Sequence, residues 1–140
     1  MGSHLLLDLT RSGKKVRAIF RSRESLSAVK KIFSYTNSEE KATELFKQIE
    51  WVQAYIIDIP ALDKAFDGIE KVYHCAALIS FDPSMDSTLR KVNIEGTANI
   101  VNFCIKNSVK KLCFVSSIAT LDRKPGEKTI TEASHWNKEK

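Results

Sequence analysis

Short apolar runs take turns with apolar residues at helical spacing along this chain. Leu5, Leu6 and Leu9 share one face of a helix, and Gly13 is placed to stop it, which predicts a helix from about Ser3 to Ser12. KVRAIF (15–20) alternates Val16, Ala18 and Phe20, with Ile19 apolar on the other face, as in a strand buried on both sides. Ser25 is a candidate N-cap for a helix carrying Leu26, Val29, Ile32 and Phe33. TNSEE interrupts that pattern, which resumes from Glu39 to Lys47 with Ala42, Leu45 and Phe46. WVQAYIID (51–58) reads as a second strand, ALDKAFDG (61–68) as a short helix and KVYHCAAL (71–78) as a third strand. After a loop with Pro83, Ser87 to Asn107 predicts a long helix with Leu89, Val92, Ile94, Ile100, Val101 and Ile105. KKLCFVSS (110–117) is a fourth strand, and the polar stretch from Asp122 reads as loop.

Strands alternating with helices imply a parallel sheet covered on both faces. Right-handed crossovers make it doubly wound, with ligands at the carboxyl ends of the strands. Those ends are Phe20–Arg23, Ile57–Asp58, His74–Ala77 and Val115–Ser117.

Composition narrows the function classes. At 140 residues, 43% hydrophobic and 28% charged, the chain is one domain, or part of one, of a soluble globular protein. The net charge of +5 is spread over separated lysine pairs, which fits solvated faces better than a nucleic-acid surface. Cys75, Cys104 and Cys113 are odd in number and sit among apolar neighbours, so they read as buried thiols in a reducing compartment. No apolar stretch approaches the ~18 residues of a membrane span, and LLL is too short for a signal peptide. A cytoplasmic location is expected, with no metal site among the separated histidines.

The four strand ends carry a resemblance. GSHLLLDLTRSGKKVRAIFRS, YIIDIPALDKAFDGIEKVYHCAA, VNIEGTANIVNFC and KKLCFVSSIA, in this order and spacing, resemble the extended short-chain dehydrogenase/reductase family, the NAD(P)-dependent epimerases, dehydratases and reductases. The resemblance covers nearly the whole chain. It implies a Rossmann-like doubly wound parallel sheet over 1–140, as a partial dinucleotide-binding domain.

Two departures stand beside it. Of the family's G-x-x-G-x-x-G turn only the last glycine is present, as Gly2. Tyrosine occurs only at 35, 55 and 73, none followed four residues later by Lys, so the family's Y-x-x-x-K is absent. The chain therefore reads as a window on a longer protein, apparently lacking the first strand and the C-terminal part. That first strand lies centrally in the fold, so the visible strands are expected as two pairs with a gap between them. Such a chain made alone is expected to be insoluble, molten or oligomeric, because open strand edges invite association.

Candidate site residues follow. Gly2, at a helix N-terminus, would let backbone approach a pyrophosphate; a tag remnant is the rival reading. Arg21 and Arg23, with Ser22 between them, follow the first visible strand, where an arginine pairs with a 2′-phosphate; this favours NADP, with NAD second. By resemblance Asp58, or its neighbour Ile59, would meet the adenine; capping the next helix is the equal alternative. Small Ala76 and Ala77 would let a flat cofactor lie against the backbone. His74 reads as a satisfied core residue rather than a base. The resemblance makes Asn93 the residue that ties its helix to the active-site strand, and an outward-facing Asn is the alternative. Gly96 within that helix suggests close packing. Ser117 aligns best with the catalytic serine, with Ser116 second.

The function implied is hydride transfer on a small carbonyl or alcohol substrate in an oxidoreductase, epimerase or dehydratase. The alternatives are a non-catalytic NADP-binding regulatory module and, more distantly, an α/β interaction domain. A homo-oligomer is allowed; neither nucleic acid nor membrane is expected as a partner.

Overall fold

The computed structural model describes residues 1–121 and 129–134. Most of the loop expected from Asp122 lies outside the described residues. The helix α1 (Gly2–Arg11) ends at Gly13, whose φ of 68° suits the left-handed turn into β1 (Val16–Phe20). Then come α2 (Arg23–Ser34), α3 (Glu39–Lys47) and β2 (Ile49–Gln53). The second half holds α4 (Ile59–Phe66), β3 (Lys71–His74), α5 (Asp86–Arg90), α6 (Gly96–Lys106) and β4 (Lys111–Phe114). A π-helical turn, Lys91–Glu95, joins α5 to α6.

Among the described residues the strands form two separate parallel pairs, β1 with β2 and β3 with β4. Val16 stands beside Ile49 and Phe20 beside Gln53; Lys71 stands beside Lys111 and His74 beside Phe114. The expected gap between the pairs is therefore present. Ile19 on β1 and Tyr73 on β3 remain 37% and 45% exposed, as strands with one free edge leave their large side chains.

Each pair has its own core. Leu7, Ala18, Phe33, Ala42, Leu45 and Ile49 join α1, α2 and α3 to the first pair. Ile56, Leu62, Phe66, Val92, Ile100, Phe103 and Cys104 join α4 and α6 to the second. Polar bonds then cross between elements that no ladder connects. Arg17 Nη1, on β1, donates to the carbonyls of Ala65 (3.1 Å) and Asp67 (2.6 Å) at the end of α4, where the helix dipole favours a cation. Its Nε lies 3.0 Å from Glu50 Oε2 but is misaligned for a hydrogen bond, so that contact is an ion pair only. Asn99 Nδ2 on α6 donates to the Ile56 carbonyl at 3.0 Å.

Several boundaries differ from the sequence expectation. The second strand ends at Gln53, not Asp58, because Asp58 N–H bonds back to the Tyr55 carbonyl and turns the chain. That turn drives Ile56 into the core under α6. Ser22 rather than Ser25 stands at the N-cap of α2, since its extended backbone (φ −138°) precedes the first helical residue. Ile94 and Ile105 are 60% and 73% exposed rather than core-facing. Val92, Ile100 and Phe103 take the inner face instead, since two residues along a helix separate Ile94 from Val92 by more than half a turn. Cys104 is buried as expected, but Cys113 is exposed and Cys75 half-buried, because β4 pairs on one side only and Cys75 lies beyond the last residue of β3.

Gly96 is where α6 meets the turn after β2. A Cβ there would stand 2.6 Å from Ile56 Cδ1 and 2.7 Å from Cγ1. Gly96→Ala is predicted to destabilise by about 1–2 kcal/mol, because overpacking outweighs the gain in helix propensity. Urea midpoints of the two proteins at one fixed protein concentration check this.

Candidate functional site

Within each pair the two strands run parallel, so their carboxyl ends share a side. β1 returns alongside α1, so its end lies level with the N-terminus of α1. That N-terminus also approaches the residue after β3, since a Cβ on Gly2 would stand 3.7 Å from Cys75 Cβ. Gly2 thus sits between the two strand pairs. Among the described residues no side chain caps α1.

On the first pair, Arg21, Ser22 and Arg23 bridge the end of β1 and the start of α2. Arg21 is exposed, with its Cζ 5.8 Å from the centre of the Tyr55 ring, a spacing that allows a cation–π contact. Arg23 is exposed too. Beside them Glu24 opens α2, and the neighbouring Ser22 hydroxyl holds its carboxyl below its ordinary value. Asp58 is the N-cap of α4, its Oδ1 accepting from Ala61 N–H at 3.1 Å. The capping alternative is thus the role the structure displays, and the position as a strand end is corrected. Ile59 opens α4 and is 49% exposed beside it.

On the second pair, Ala76 and Ala77 are exposed in the loop leaving β3. Asn93 holds that loop. Its Oδ1 accepts from Leu78 N–H at 2.8 Å and its Nδ2 donates to the Leu78 carbonyl at 2.9 Å. The Asn therefore faces inward, and it ties its helix to the loop after β3 rather than to the serine-bearing strand β4. The π-turn that carries it widens the helix at this point. Ser116 and Ser117 follow β4, both exposed. Ser117 Oγ accepts from Ala119 N–H at 3.2 Å as the cap of a short 3₁₀ turn, Ile118–Thr120, which leaves its hydroxyl proton available to another acceptor.

His74 is buried, with Nε2 2.9 Å from Thr97 Oγ1 and its ring beside Phe114. Burial pushes its imidazole below its ordinary value. It is a satisfied core histidine, as its strand setting suggested. Thr97 and Asn99, on the inward side of α6, and Arg17 on β1 are partners that sequence reading missed. A polar residue on an otherwise core-facing stripe is the signal that marks Thr97 and Asn99, as it marks Asn93.

Two outcomes test this site. Asn93→Ala is predicted to cost about 1–3 kcal/mol by stranding both backbone groups of Leu78, with faster amide exchange in residues 75–80. The lowered His74 value makes stability pH-dependent. The unfolded imidazole takes up its proton near 6.5, whereas folded His74 stays neutral to lower pH, so stability falls as pH drops from 7.5 to 5.5. The lowered carboxyls of Glu24, Glu70 and Asp82 act only below about 4.5, outside that window. Urea midpoints at the two pH values should show the fall, and His74→Gln should flatten it.

The arrangement is shared with known proteins. The chain is 29% identical over 139 residues to a dihydroflavonol 4-reductase of Callistephus chinensis, covering 98% of this chain and 36% of that one. It is 29% identical to a UDP-glucose 4-epimerase of Caenorhabditis elegans, covering 96% of this chain and 39% of that one. The chain thus spans little more than a third of the length of these curated relatives. A solved short-chain dehydrogenase/reductase superfamily protein from Agrobacterium tumefaciens, with bound NAD, superposes with a TM-score of 0.72 at 23% identity, over 97% of this chain and 35% of that one. The fold is accordingly the Rossmann-like α/β fold, of which these residues form a part. The model of the 3-beta hydroxysteroid dehydrogenase/isomerase family matches residues 1–139, and with the strand ends and the Asn93 helix arranged as described, the chain belongs to that family.

Proposed function

We propose that residues 1–140 form the cofactor-binding region of an NAD(P)-dependent enzyme of the extended short-chain dehydrogenase/reductase type, acting on a small carbonyl or alcohol substrate. The observation that carries the reading is the pair Arg21 and Arg23 at the N-terminus of α2, on the same side of the sheet as the uncapped N-terminus of α1. Both are anion-seeking features, and a dinucleotide carries phosphates at two separated points.

The residues fit the adenosine end of such a cofactor better than its pyrophosphate. Arg21 and Arg23 would hold a 2′-phosphate, and Asp58 and Ile59 would border the adenine. Ala76 and Ala77 leave room for a flat ring against the backbone. Gly2 alone supplies the glycine turn, so the grip on the pyrophosphate is incomplete. When bound, the nicotinamide supplies hydride exchange with the substrate carbon. Ser117 would donate its free hydroxyl proton to the substrate oxygen, and Asn93 would keep the Ala76–Leu78 loop in place beneath the cofactor. The chain holds no Tyr-x-x-x-Lys to move a proton, so Ser117 by itself does not complete the chemistry.

One observation favours NAD instead. The Glu24 carboxylate sits in the first turn of α2, beside Ser22, where it opposes a second anion. The two readings separate in a nuclear magnetic resonance titration of the chain with 2′-AMP and 5′-AMP. The NADP reading predicts that 2′-AMP perturbs the amides of residues 21–24 and binds more tightly. Arg21→Ala with Arg23→Ala should then weaken it about tenfold, the loss of one charge-assisted bond. Preference for 5′-AMP supports NAD, and absence of either response at the strand ends contradicts the dinucleotide reading.

A further inference from the structure

Arg21 is held at both ends. Its carbonyl accepts from Gln53 Nε2 at 3.4 Å, and the Phe20 carbonyl just before it accepts from Ala54 N–H at 3.1 Å. Its guanidinium carbon lies 5.8 Å from the centre of the Tyr55 ring, within the range of a cation–π contact. Gln53 ends β2, and Ala54 and Tyr55 follow it, so one short segment supplies every one of these contacts. Arg23, two residues further on, has no aromatic ring beneath it among the described residues.

The Tyr55 ring is itself fixed. It is half-buried against the core of the second strand pair, where its neighbour Ile56 is fully enclosed. The Tyr55 carbonyl accepts from Asp58 N–H at 2.8 Å, in the turn that delivers Asp58 to the N-cap of α4. An arginine side chain on an open surface samples many rotamers, and binding an anion must first collect them into one. A ring beneath the guanidinium makes that selection in advance. It uses no hydrogen-bond acceptor to do so, and the planar N–H fork stays available for phosphate oxygens.

We infer that Tyr55 is a positioning residue for phosphate recognition: its ring holds the Arg21 guanidinium ready for a 2′-phosphate, so that Arg21 rather than Arg23 carries the selectivity. The inference rests on the reading of residues 21–24 as the adenosine-phosphate corner of the cofactor site. Tyr55 acts through Arg21 and not on the nucleotide itself.

The test is a nuclear magnetic resonance titration of the full 140-residue chain with 2′-AMP and with 5′-AMP. Tyr55→Leu keeps the apolar packing and removes the ring; Tyr55→Phe keeps the ring. Tyr55→Leu should weaken 2′-AMP about two- to fivefold and leave 5′-AMP unchanged. Tyr55→Phe should bind both as the wild type does. In an Arg21→Ala background Tyr55→Leu should have no further effect, because the ring then has nothing to position. Arg23→Ala should weaken 2′-AMP less than Arg21→Ala does. A second readout needs no ligand: the ring should shift the Arg21 side-chain protons upfield of those of Arg23 in the wild type and Tyr55→Phe, but not in Tyr55→Leu. Equal loss of both nucleotides in Tyr55→Leu overturns the inference, as does a loss that persists without Arg21, since Tyr55 would then only support the fold. Unshifted Arg21 protons in the wild type overturn it too. If 2′-AMP binds the wild type and every Tyr55 variant alike, the inference alone falls. If 2′-AMP leaves residues 21–24 of the wild type unperturbed, the NADP reading falls and takes this inference with it.

Discussion

Side chains bonded to backbone across helices hold this molecule together where a sheet ladder would ordinarily do so. A parallel strand pair has little independent stability and normally lies inside a wider sheet. Here two such pairs stand apart, each with a free edge. Arg17 reaches from β1 to the last carbonyls of α4, and Asn99 reaches from α6 to the turn after β2. Gly96 lets α6 come close enough to that turn for Ile56 to lie against it. These links end on α4 and on the turn that precedes it, the crossover between the two pairs.

The proposed site inherits this division. Arg21, Ser22, Arg23 and Asp58 stand on the first pair, whereas Ala76, Ala77, Ser116 and Ser117 stand on the second. Gly2 is the one candidate between them, beside Cys75. A ligand touching both groups would depend on the cross-links above as much as on its own contacts. Within the second pair, the Asn93 clamp on Leu78 and the contact of His74 with Thr97 fix the helix to β3 and to the loop that follows it. Both use polar side chains in low-dielectric surroundings, where an unmade bond is costly and the geometry is correspondingly well defined.

Much of this was legible in the order of residues. Among the described residues the alternation of periods located the four strands and the longer helices, with shifted boundaries, and the family motifs implied two strand pairs with a gap. Gly96 announced a close approach, because glycine within a helix is otherwise unfavourable. The misses share a cause: they turn on partners distant in sequence. WVQAYIID is apolar enough to be a strand throughout, yet Asp58 prefers to close a turn and cap α4, and Ile56 is needed in the core. Ser22 and Ser25 are equally good caps by composition, and only the backbone at Ser22 decides between them. Ile94 and Ile105 were read only as apolar residues of a long helix, and which of its apolar residues face inward is settled by the packing of Val92, Ile100 and Phe103. The reach of Arg17, Thr97 and Asn99 is invisible until the elements are packed.

The split sheet is the claim on which the site depends, and residue-resolved amide hydrogen exchange tests it most directly. In a strand paired on one side only, every second amide lacks a ladder partner. The account predicts alternating protection along β1 and β3, with the unpaired amides exchanging at least tenfold faster than their neighbours, roughly the 1.4 kcal/mol that a single hydrogen bond can supply. Uniform protection along both strands would contradict it, because their free edges would then be paired.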